Sequence, residues 1–585
     1  MLRNIVFSSI KKIYTLLPPD YRKRSGKMMM LLFVNSFLEL FGLAAFVPLF
    51  LILLQKNIIN ENAYLNWLYN FGNFASENVF VLFIAGTIFI MVLLKNLFSL
   101  AILKSQANFS LSLYRFYTLE LYRSYKEKGY TFFKETNSNI ILQNLNVVTQ
   151  RYANNLILPI FNFLNELIII LLILVSLIIY DWKVIILITF SVLPIFLFLY
   201  RYLNRLSVKV ETKTNNIQPI VTEKIFQSVY GYTDIELTNT YKNFRKKMTL
   251  LLNELVDLSI NRTIYAHIPL KFMETIMVMT VFIITVYGLF FLNDISKSAS
   301  VLGLYALAAY RILPSINRMI LALISIKSYQ YTFEVIEEID CREGRETVDL
   351  PLKFEKSINF DNVTFYHPGS INKILKNANF SVQKGDAIGI IGPSGSGKTT
   401  LMNLMLGFLT PTEGSISVDG IIISKNRMKE WRKKIGYVQQ EVYIINATIA
   451  ENIAFGLELH EINRHRLDSA IKKASLTDFV QSLPNKAFTE IGERGSNLSG
   501  GQRQRLGIAR AIYSGASILF FDEATSALDM NTEKEITEAI KLLSKENFTV
   551  VIIAHRLSTL VFCNRILEIS HGRVKYNANI SNTVQ

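Results

Sequence analysis

The stretch IGIIGPSGSGKTT (Ile388–Thr400) joins an apolar run to the pattern G-x-x-x-x-G-K-T. The run Ile388–Ile391 predicts a strand, and the residues from Lys398 onward predict a helix. The glycines between them allow the backbone to curl so that its N–H groups surround a phosphate, at which the positive end of the helix also points. The stretch therefore predicts a phosphate-binding loop in an α/β domain, although the motif alone also fits a glycine-rich turn that binds nothing.

The residues of this loop have distinct expected roles toward ATP and Mg²⁺. Lys398 is expected to reach the β- and γ-phosphates, and Thr399 is expected to ligate the metal. The other positions are expected to surround the phosphates, and they are Gly392, Ser394, Gly395, Ser396, Gly397 and Thr400.

A second apolar strand, Ile518–Phe521, leads directly to Asp522 and Glu523, and the apolar run 550–554 leads to His555. In a parallel sheet, ligands collect at the carboxyl ends of the strands. Asp522 is expected to bind Mg²⁺ through water, Glu523 to polarise the attacking water, and His555 to contact the γ-phosphate. These are the parts that phosphoryl transfer requires, so the second half of the chain predicts hydrolysis of ATP.

The first half of the chain consists of long apolar segments. Half of the 585 residues are hydrophobic, and six runs each hold the roughly 20 residues that cross a hydrocarbon layer. These runs are about 28–54, 79–103, 155–180, 183–201, 264–290 and 299–325. The resulting division is an interfacial helix at 1–27, a six-helix membrane domain at 28–328, a charged linker at 329–355 and an α/β domain at 356–585.

The number of lysine and arginine residues alternates between high and low along the segments that flank and connect these runs. Residues 1–27, 104–154 and 201–262 hold seven, seven and ten of them, whereas the connections in between hold one each. Cytoplasmic segments carry the excess of Lys and Arg, so the pattern predicts that both termini and the α/β half face the cytoplasm. It also accounts for much of the net charge of +16, so no nucleic acid is expected as a partner.

The segment LSGGQRQRLGIARA (Leu498–Ala511) lies between the loop and the second strand. Ser499 is placed to cap the helix that follows, whose exposed N–H groups can bind a second anion. Here the chain resembles the ABC transporter ATPases, whose signature is LSGGQ. In that family the signature turn of one ATPase domain caps the ATP held by another. The resemblance thus implies a homodimer in which Ser499, Gly500, Gly501 and Gln502 contact ATP.

The resemblance extends to further positions, and the chain departs from the family pattern at one position. Gln440 matches the glutamine of the family's Q-loop, which implies that it is a Mg²⁺ ligand with a catalytic role. Ser526–Asp529 matches the D-loop, which implies that Asp529 lies near the nucleotide. The family usually stacks adenine on the tyrosine of F-x-Y-P, whereas His367 stands at that position here, with Tyr366 as the alternative ring. The implied fold is a polytopic α-helical membrane domain of six transmembrane helices followed by an α/β P-loop ABC ATPase domain.

The last apolar run, LYALAAYRILPSINRMILALI (Leu304–Ile324), carries Arg311 and Arg318. Seven residues are almost two helical turns, so both arginines share one face, and an arginine near the centre of a membrane is expected to face protein or a water-filled cavity. Two interpretations remain open, namely ion pairs with acidic residues of other runs and a cavity for an anionic substrate. The acidic residues considered are Glu39, Glu166 and Glu274.

Residues 58–75, between the first two runs, predict an aromatic-rich amphipathic helix that suits the membrane interface, or else a packed external loop. Its apolar residues lie mostly on one helical face and are Tyr64, Leu65, Trp67, Leu68 and Phe71. Together with the stretch YRILPSINR, this segment resembles the half-size exporters of the PglK type, which flip lipid-linked oligosaccharides for bacterial N-glycosylation.

That narrower resemblance implies a protein of the bacterial inner membrane that moves a polyprenyl-pyrophosphate-linked oligosaccharide from the cytoplasmic to the periplasmic leaflet. Arg311, Arg318 and Lys271 are the residues implied to contact the pyrophosphate. The alternative is export of another amphiphile, such as lipid A, a peptide or a drug. A channel that uses ATP only as a switch is a third hypothesis, which the presence of Glu523 disfavours.

Overall fold

The computed structural model describes residues 2–46, 48–49, 52, 58–180, 182–291, 295–339, 350–367, 369–370, 372–524, 529–554 and 556–577. They form two compact units, and each is described by itself. The first comprises the residues up to 128 together with 132–343, and the second comprises 129–131 together with the residues from 344 onward. The boundary at 343 lies inside the segment that the sequence assigns to the linker.

The first unit is helical. Its helices are α1 Leu2–Leu16, α2 Pro19–Ala44, α3 Ile58–Glu61, α4 Ala63–Phe71, α5 Glu77–Glu135, α6 Ser138–Gln143, α7 Thr149–Arg151, α8 Leu158–Tyr180, α9 Trp182–Tyr230, α10 Tyr232–Leu237, α11 Tyr241–Phe291, α12 Ile295–Ser328 and α13 Thr332–Glu337. Two π-helical segments, Asn144–Val148 and Tyr152–Ile157, connect α6, α7 and α8.

The long helices carry the predicted membrane runs and extend beyond them. Helix α5 spans 59 residues with a kink at Gly129, where φ is 78°, and α11 has 51 residues, so each is more than twice as long as the roughly 20 residues that cross a hydrocarbon layer. Within the described part of the chain, two helical segments combine the length and the hydropathy of a membrane span, and they are Glu77–Glu135 and Ser138–Ser176.

The N-terminal segment differs from the single helix predicted for 1–27. Helix α1 ends at Leu16 and α2 begins at Pro19, so residues 19–27 belong to the same helix as the first apolar run. Proline suits the first position of a helix, where its missing N–H costs no hydrogen bond, and it disfavours a helical conformation in the residue before it. The Pro18-Pro19 pair therefore separates the two helices.

The segment predicted as one external helix at 58–75 forms the two short helices α3 and α4. The side chain of Asn62 caps α4 by accepting hydrogen bonds from the N–H groups of Tyr64 and Leu65, at 3.0 and 3.3 Å. On α4, Leu65 is buried, whereas Tyr64, Trp67 and Phe71 are exposed. The helix therefore presents an aromatic face that the first unit does not cover.

The second unit contains two sheets. Its strands are β1 Ser357–Phe365, β2 Leu375–Gln383, β3 Ala387–Ile391, β4 Glu413–Val418, β5 Ile421–Ile422, β6 Ile435–Val438, β7 Ile518–Asp522, β8 Thr549–Ile553, β9 Arg565–Ser570 and β10 Arg573–Asn577. One sheet has the order β2-β1-β4-β5 and is antiparallel. The other has the order β10-β9-β3-β8-β7-β6, and all its pairs are parallel except β10 with β9.

Helices cover the parallel strands, which are apolar along their length because they are buried on both faces. Strand β8 is buried at all five residues and β7 at its first four. The helices of this unit are α14 Lys398–Met405, α15 Met428–Arg432, α16 Ile449–Ile453, α17 Arg464–Lys473, α18 Thr477–Ser482, α19 Gly500–Tyr513 and α20 Met530–Lys545.

Close approach of α19 and α20 explains one glycine of the LSGGQ stretch. A Cβ atom added at Gly501 would lie 2.3 Å from Cγ2 of Thr532 on α20, closer than two carbon atoms can pack. The side chain of Asp529 caps α20 by accepting from the N–H of Thr532 at 3.0 Å, which fixes the position of that threonine.

We predict that Gly501→Ala lowers the free energy of unfolding by about 1–3 kcal/mol, the usual cost of overpacking a well-packed site. Adding Thr532→Ser removes Cγ2 but keeps the backbone N–H and the hydroxyl, so the double variant should regain most of the loss. Thermal unfolding of the three proteins measures both effects. Equal destabilisation of the single and double variants would contradict this explanation.

Candidate functional site

The loop after β3 has a backbone that glycine adopts most readily at three of its positions. Gly392, Gly395 and Gly397 have φ angles of 151°, 76° and 107°. A Cβ atom at Gly392 would also lie 2.4 Å from the carbonyl oxygen of Ile569 on the adjacent strand β9. The loop therefore curls tightly against the sheet before α14 begins at Lys398, as the sequence pattern predicts.

Lys398 is buried at the base of this loop. Its Nζ donates hydrogen bonds to the carbonyl oxygens of Gly392 and Pro393, at 2.9 and 3.0 Å. The hydroxyl of Ser396 is also buried, and no described residue forms a hydrogen bond with it. An ammonium group and a free hydroxyl inside a curled glycine-rich loop fit the phosphates of a nucleotide.

Asp522 ends β7, which lies one strand away from β3 at the same edge of the sheet. Burial raises the pKa of Asp522, and the charge of Glu523 raises it further. A hydrogen bond from Tyr437 and the charge of Lys398 oppose this rise. The hydroxyl of Tyr437 donates to Oδ2 of Asp522 at 3.1 Å. Burial and the charge of Asp522 raise the pKa of Tyr437, so the phenol stays protonated and remains a donor.

Glu523 has a left-handed backbone, with a φ of 49°. Its N–H donates to the carbonyl oxygen of Ile553 on β8 at 3.0 Å, and this bond holds the strained residue at the edge of the sheet. Strain of this kind in a residue other than glycine costs of order 1–3 kcal/mol and is concentrated at functional sites. The carboxylate that the sequence assigns to water activation is thus placed by the sheet itself.

Three oxygen donors of different chemistry are assigned to Mg²⁺, namely the hydroxyl of Thr399, the amide of Gln440 and the carboxylate of Asp522. A hard cation such as Mg²⁺ prefers oxygen ligands of this kind. The donor set therefore fits Mg²⁺, which would neutralise charge on the phosphates when bound.

The LSGGQ stretch begins α19 and is tied to the segment that contains Gln440. Ser499 and Gln502 form a capping box, in which the N–H of Ser499 donates to Oε1 of Gln502 at 2.8 Å and the N–H of Gln502 donates to Oγ of Ser499 at 3.2 Å. Nε2 of Gln504, on the next turn, donates to the carbonyl oxygen of Gln440 at 2.6 Å. Sequence reasoning did not single out Gln504, because its partner lies 64 residues away.

His555 lies outside the described residues, as do residues 526–528 of the predicted D-loop. Beyond them, Asp529 caps α20, and hydrogen bonds from the backbone and hydroxyl of Thr532 lower the pKa of its carboxyl. Next to His555, Arg556 forms an ion pair with Glu533 of α20, which also accepts from Oγ1 of Thr559 at 3.0 Å.

The two rings considered for adenine follow β1. Tyr366 and His367 are both half-buried, and the ring of His367 meets that of Phe365 edge-on, with 5.3 Å between centroids. The N–H of Tyr366 donates to Oγ1 of Thr412 at 3.4 Å. The structure thus leaves both rings partly accessible.

In the first unit, Arg311 and Arg318 lie in a group of charged side chains that we call the charge cluster, in which Arg318 is 45% exposed and the others are mostly buried. Its members are Glu39 on α2, Lys95 on α5, Glu166 on α8, and Arg311 and Arg318 on α12. Nε of Arg318 lies 2.7 Å from Oε1 of Glu166, and Nζ of Lys95 lies 3.0 Å from Oε2 of Glu39. Arg311 contacts Glu39 at 3.6 Å and Glu166 at 3.9 Å. The arrangement is that of the first interpretation, with two of the three acidic residues it named.

The structure pairs Lys271 with a residue of its own helix, and its contact with the pyrophosphate stays a prediction. Nζ of Lys271 lies 3.0 Å from Oε2 of Glu274, three residues further along α11, and both side chains are more than half exposed. The third cation of the charge cluster is instead Lys95, which the sequence did not single out.

Comparison with known proteins identifies the second unit and the fold. Residues 375–526 match the model of the ABC transporter family. An ATP-dependent lipid A-core flippase of Ralstonia nicotianae (strain ATCC BAA-1114 / GMI1000) is 40% identical over 247 residues, which cover 42% of this chain and 41% of that protein. A lipid A-core flippase of Bordetella avium (strain 197N) is 31% identical over 390 residues, which cover 66% of this chain and 65% of that protein.

The solved structure of a bacterial Atm1-family ABC exporter with ATP bound matches 96% of this chain and 97% of its own, with a TM-score of 0.78 and 21% identity. The chain has the fold of a half-size ABC exporter. The predicted fold class is therefore confirmed, as is the resemblance to ABC exporters. The narrower resemblance to the PglK type is not supported, because the relatives reported above are named as lipid A-core flippases.

We predict that Tyr437→Phe weakens the binding of Mg²⁺ together with ATP by about threefold to tenfold. The variant loses one hydrogen bond to Asp522, and such bonds contribute about 0.5–1.5 kcal/mol. Titration of Mg²⁺ against the ATP-bound protein measures the change. The control is Tyr443→Phe, since Tyr443 is exposed, and a shift of the same size in the control would contradict the role given to Tyr437.

Proposed function

We propose that this chain hydrolyses ATP to move an anionic amphiphile from the cytoplasmic to the periplasmic leaflet of a bacterial inner membrane. The observation that carries the proposal is the nucleotide site on a chain with the ABC exporter fold. The glycine-rich loop follows β3, and Asp522 and Glu523 lie at the end of β7, which β8 separates from β3 in the same sheet. A protein that used ATP only as a switch would not need Glu523 held in a strained conformation.

The active species in this proposal is a homodimer with cytoplasmic termini. The chain contains one phosphate loop and one LSGGQ stretch. The resemblance to ABC ATPases implies that the LSGGQ stretch of each copy caps the nucleotide bound by the phosphate loop of the other copy. The capping box at Ser499 holds the start of α19, the segment that would face the nucleotide of the other copy, in a fixed shape. The alternation of Lys and Arg along the sequence supports the orientation.

The substrate class rests on the charge cluster and on the relatives. Three cations around two carboxylates give a membrane-embedded site that favours an anion. The relatives reported above are named as lipid A-core flippases, which favours a lipid of that kind over a lipid-linked oligosaccharide.

A polyprenyl-pyrophosphate-linked oligosaccharide, moved for protein N-glycosylation, is the second candidate substrate. The observation that favours it is the external helix α4, whose exposed Tyr64, Trp67 and Phe71 suit a membrane interface. Such a face can hold a long lipid chain near the bilayer while the head group moves.

Purified protein in liposomes distinguishes the two substrates. ATP-dependent movement of a fluorescent lipid A-core is the expected result, with a lipid-pyrophosphate oligosaccharide and an amphiphilic peptide as the other arms. Movement of the oligosaccharide alone would establish the second candidate. ATP hydrolysis without movement of any anionic lipid would overturn the proposed substrate class.

We predict that Glu523→Gln lowers the rate of ATP hydrolysis by about 10²–10⁴-fold, the range for loss of a general base, and leaves ATP binding intact. Phosphate release and binding of a fluorescent ATP analogue measure the two properties. Glu538→Gln is the matched control, because Glu538 pairs with Lys541 on the exposed face of α20. Hydrolysis at the normal rate by Glu523→Gln would refute the role of this residue.

A further inference from the structure

The segment that carries Gln440 belongs to no helix or strand. Strand β6 ends at Val438, and residues 439–447 form neither kind of element. Gln439 and Gln440 are both exposed, so the packing of their own side chains does not fix the segment. The position of Gln440 therefore depends on the contacts that other residues make with its backbone.

Gln504 of α19 makes such contacts from the interior of the second unit. Its side chain is buried, and its Nε2 donates to the carbonyl oxygen of Gln440 at 2.6 Å and to that of Gln439 at 3.2 Å. These carbonyl groups belong to the two peptide planes on either side of the Cα atom of Gln440. Because a residue has only two soft backbone dihedrals, holding both planes sets the direction in which the side chain of Gln440 leaves the backbone.

Helix α19 also packs against both ends of this short segment. A Cβ atom added at Gly507 would lie 2.9 Å from Cγ2 of Val442 and 3.3 Å from Cγ1 of Val438. Gly507 follows Gln504 by three residues, so the two positions share one face of the helix. The hydrogen bonds from Gln504 are therefore supported by close packing before and after the two glutamines.

Strand β6 directs this segment to the metal side of the nucleotide site. Val438 pairs with Phe521 of β7, the residue before Asp522. Tyr437, also on β6, donates to Asp522 at 3.1 Å. The chain thus leaves the sheet beside one residue assigned to Mg²⁺, two residues before it reaches Gln440, which is assigned to the same metal.

Stability alone does not explain a glutamine at position 504. Its Oε1 is buried and has no hydrogen-bond partner among the residues that the structure describes. A buried acceptor without a partner costs free energy, and an apolar side chain of the same length avoids that cost. The two carbonyl groups belong to exposed residues, where water can replace the amide. The direction imposed on the backbone, rather than the energy of folding, therefore explains this residue.

We propose that Gln504 is a positioning residue for ATP hydrolysis, which orients Gln440 toward Mg²⁺ through two backbone carbonyl groups. The inference rests on the nucleotide site of the proposed function, in which Gln440 ligates the metal together with Thr399 and Asp522. Groups that orient a metal ligand change the affinity for the metal by about 10–100-fold when they are removed. Gln504 should therefore act on the binding of Mg²⁺ and not on the binding of ATP itself.

The test uses Gln504→Met in full-length protein that also carries Glu523→Gln, so that bound ATP is not consumed. Methionine keeps the length of the side chain and removes both N–H donors and the unpaired oxygen. Mn²⁺, which takes the same oxygen ligands as Mg²⁺, is titrated against the ATP-bound protein and followed by electron paramagnetic resonance. Its affinity should fall by about tenfold, whereas the affinity for ATP in the presence of a metal chelator should stay the same.

Two further variants in the same background separate positioning from general damage. Gln440→Ala should itself weaken the binding of Mn²⁺, and adding Gln504→Met should cause no further loss, because no ligand remains to be oriented. Gln481→Met, the same exchange at an exposed position of α18, is the matched control and should change neither affinity. Thermal unfolding without nucleotide should show that Gln504→Met is at least as stable as the parent protein.

Four results would overturn the inference. Unchanged affinity for Mn²⁺ in Gln504→Met would remove the positioning role, and losses that add in the double variant would show that Gln504 does not act through Gln440. An equal loss of ATP affinity without metal, or a lower unfolding temperature, would show that Gln504 only supports the structure. Failure of the parent protein to bind ATP would instead remove the nucleotide site of the proposed function, and the inference with it.

Discussion

An ion that leaves water loses several kcal/mol of solvation unless nearby groups replace that water, and both sites of this chain are arranged around that cost. In the second unit, backbone carbonyls of the loop accept from Lys398, and a tyrosine hydroxyl donates to Asp522. In the first unit, Glu166 neutralises Arg318 through two contacts. Arg311 is the exception within the described residues, because its ion pairs are long and its Nε has no acceptor.

The parts of the nucleotide site that the sequence predicts are those encoded by short motifs. A glycine-rich loop needs residues that are neighbours in the chain, and the strand before Asp522 is visible as an uninterrupted apolar run. Tyr437 and Gln504 could not be found in this way. Their partners lie 85 and 64 residues away, and which strand lies beside β7 is decided by the whole sheet and not by a local pattern.

The helices that face Arg311 and Arg318 could not be predicted for a related reason. Sequence spacing shows which residues share a face of one helix, so it correctly places Arg311 and Arg318 together. It does not show which other helix faces them. Lys271 lies three residues from Glu274 on its own helix and pairs with it locally, whereas Lys95 reaches the cluster because α5 passes α2 at Gly42.

In the proposed function the charge cluster binds an anion, and its two glutamates explain why such a site contains acidic residues. Three unpaired cations among membrane helices would each add a large cost to insertion, and a site that bound phosphate through all three would release it slowly. Two internal carboxylates lower the cost of inserting the cations and weaken the binding of phosphate. One positive charge then remains to attract the head group. A transporter needs both, because a substrate that enters the site must also leave it on the other side of the membrane.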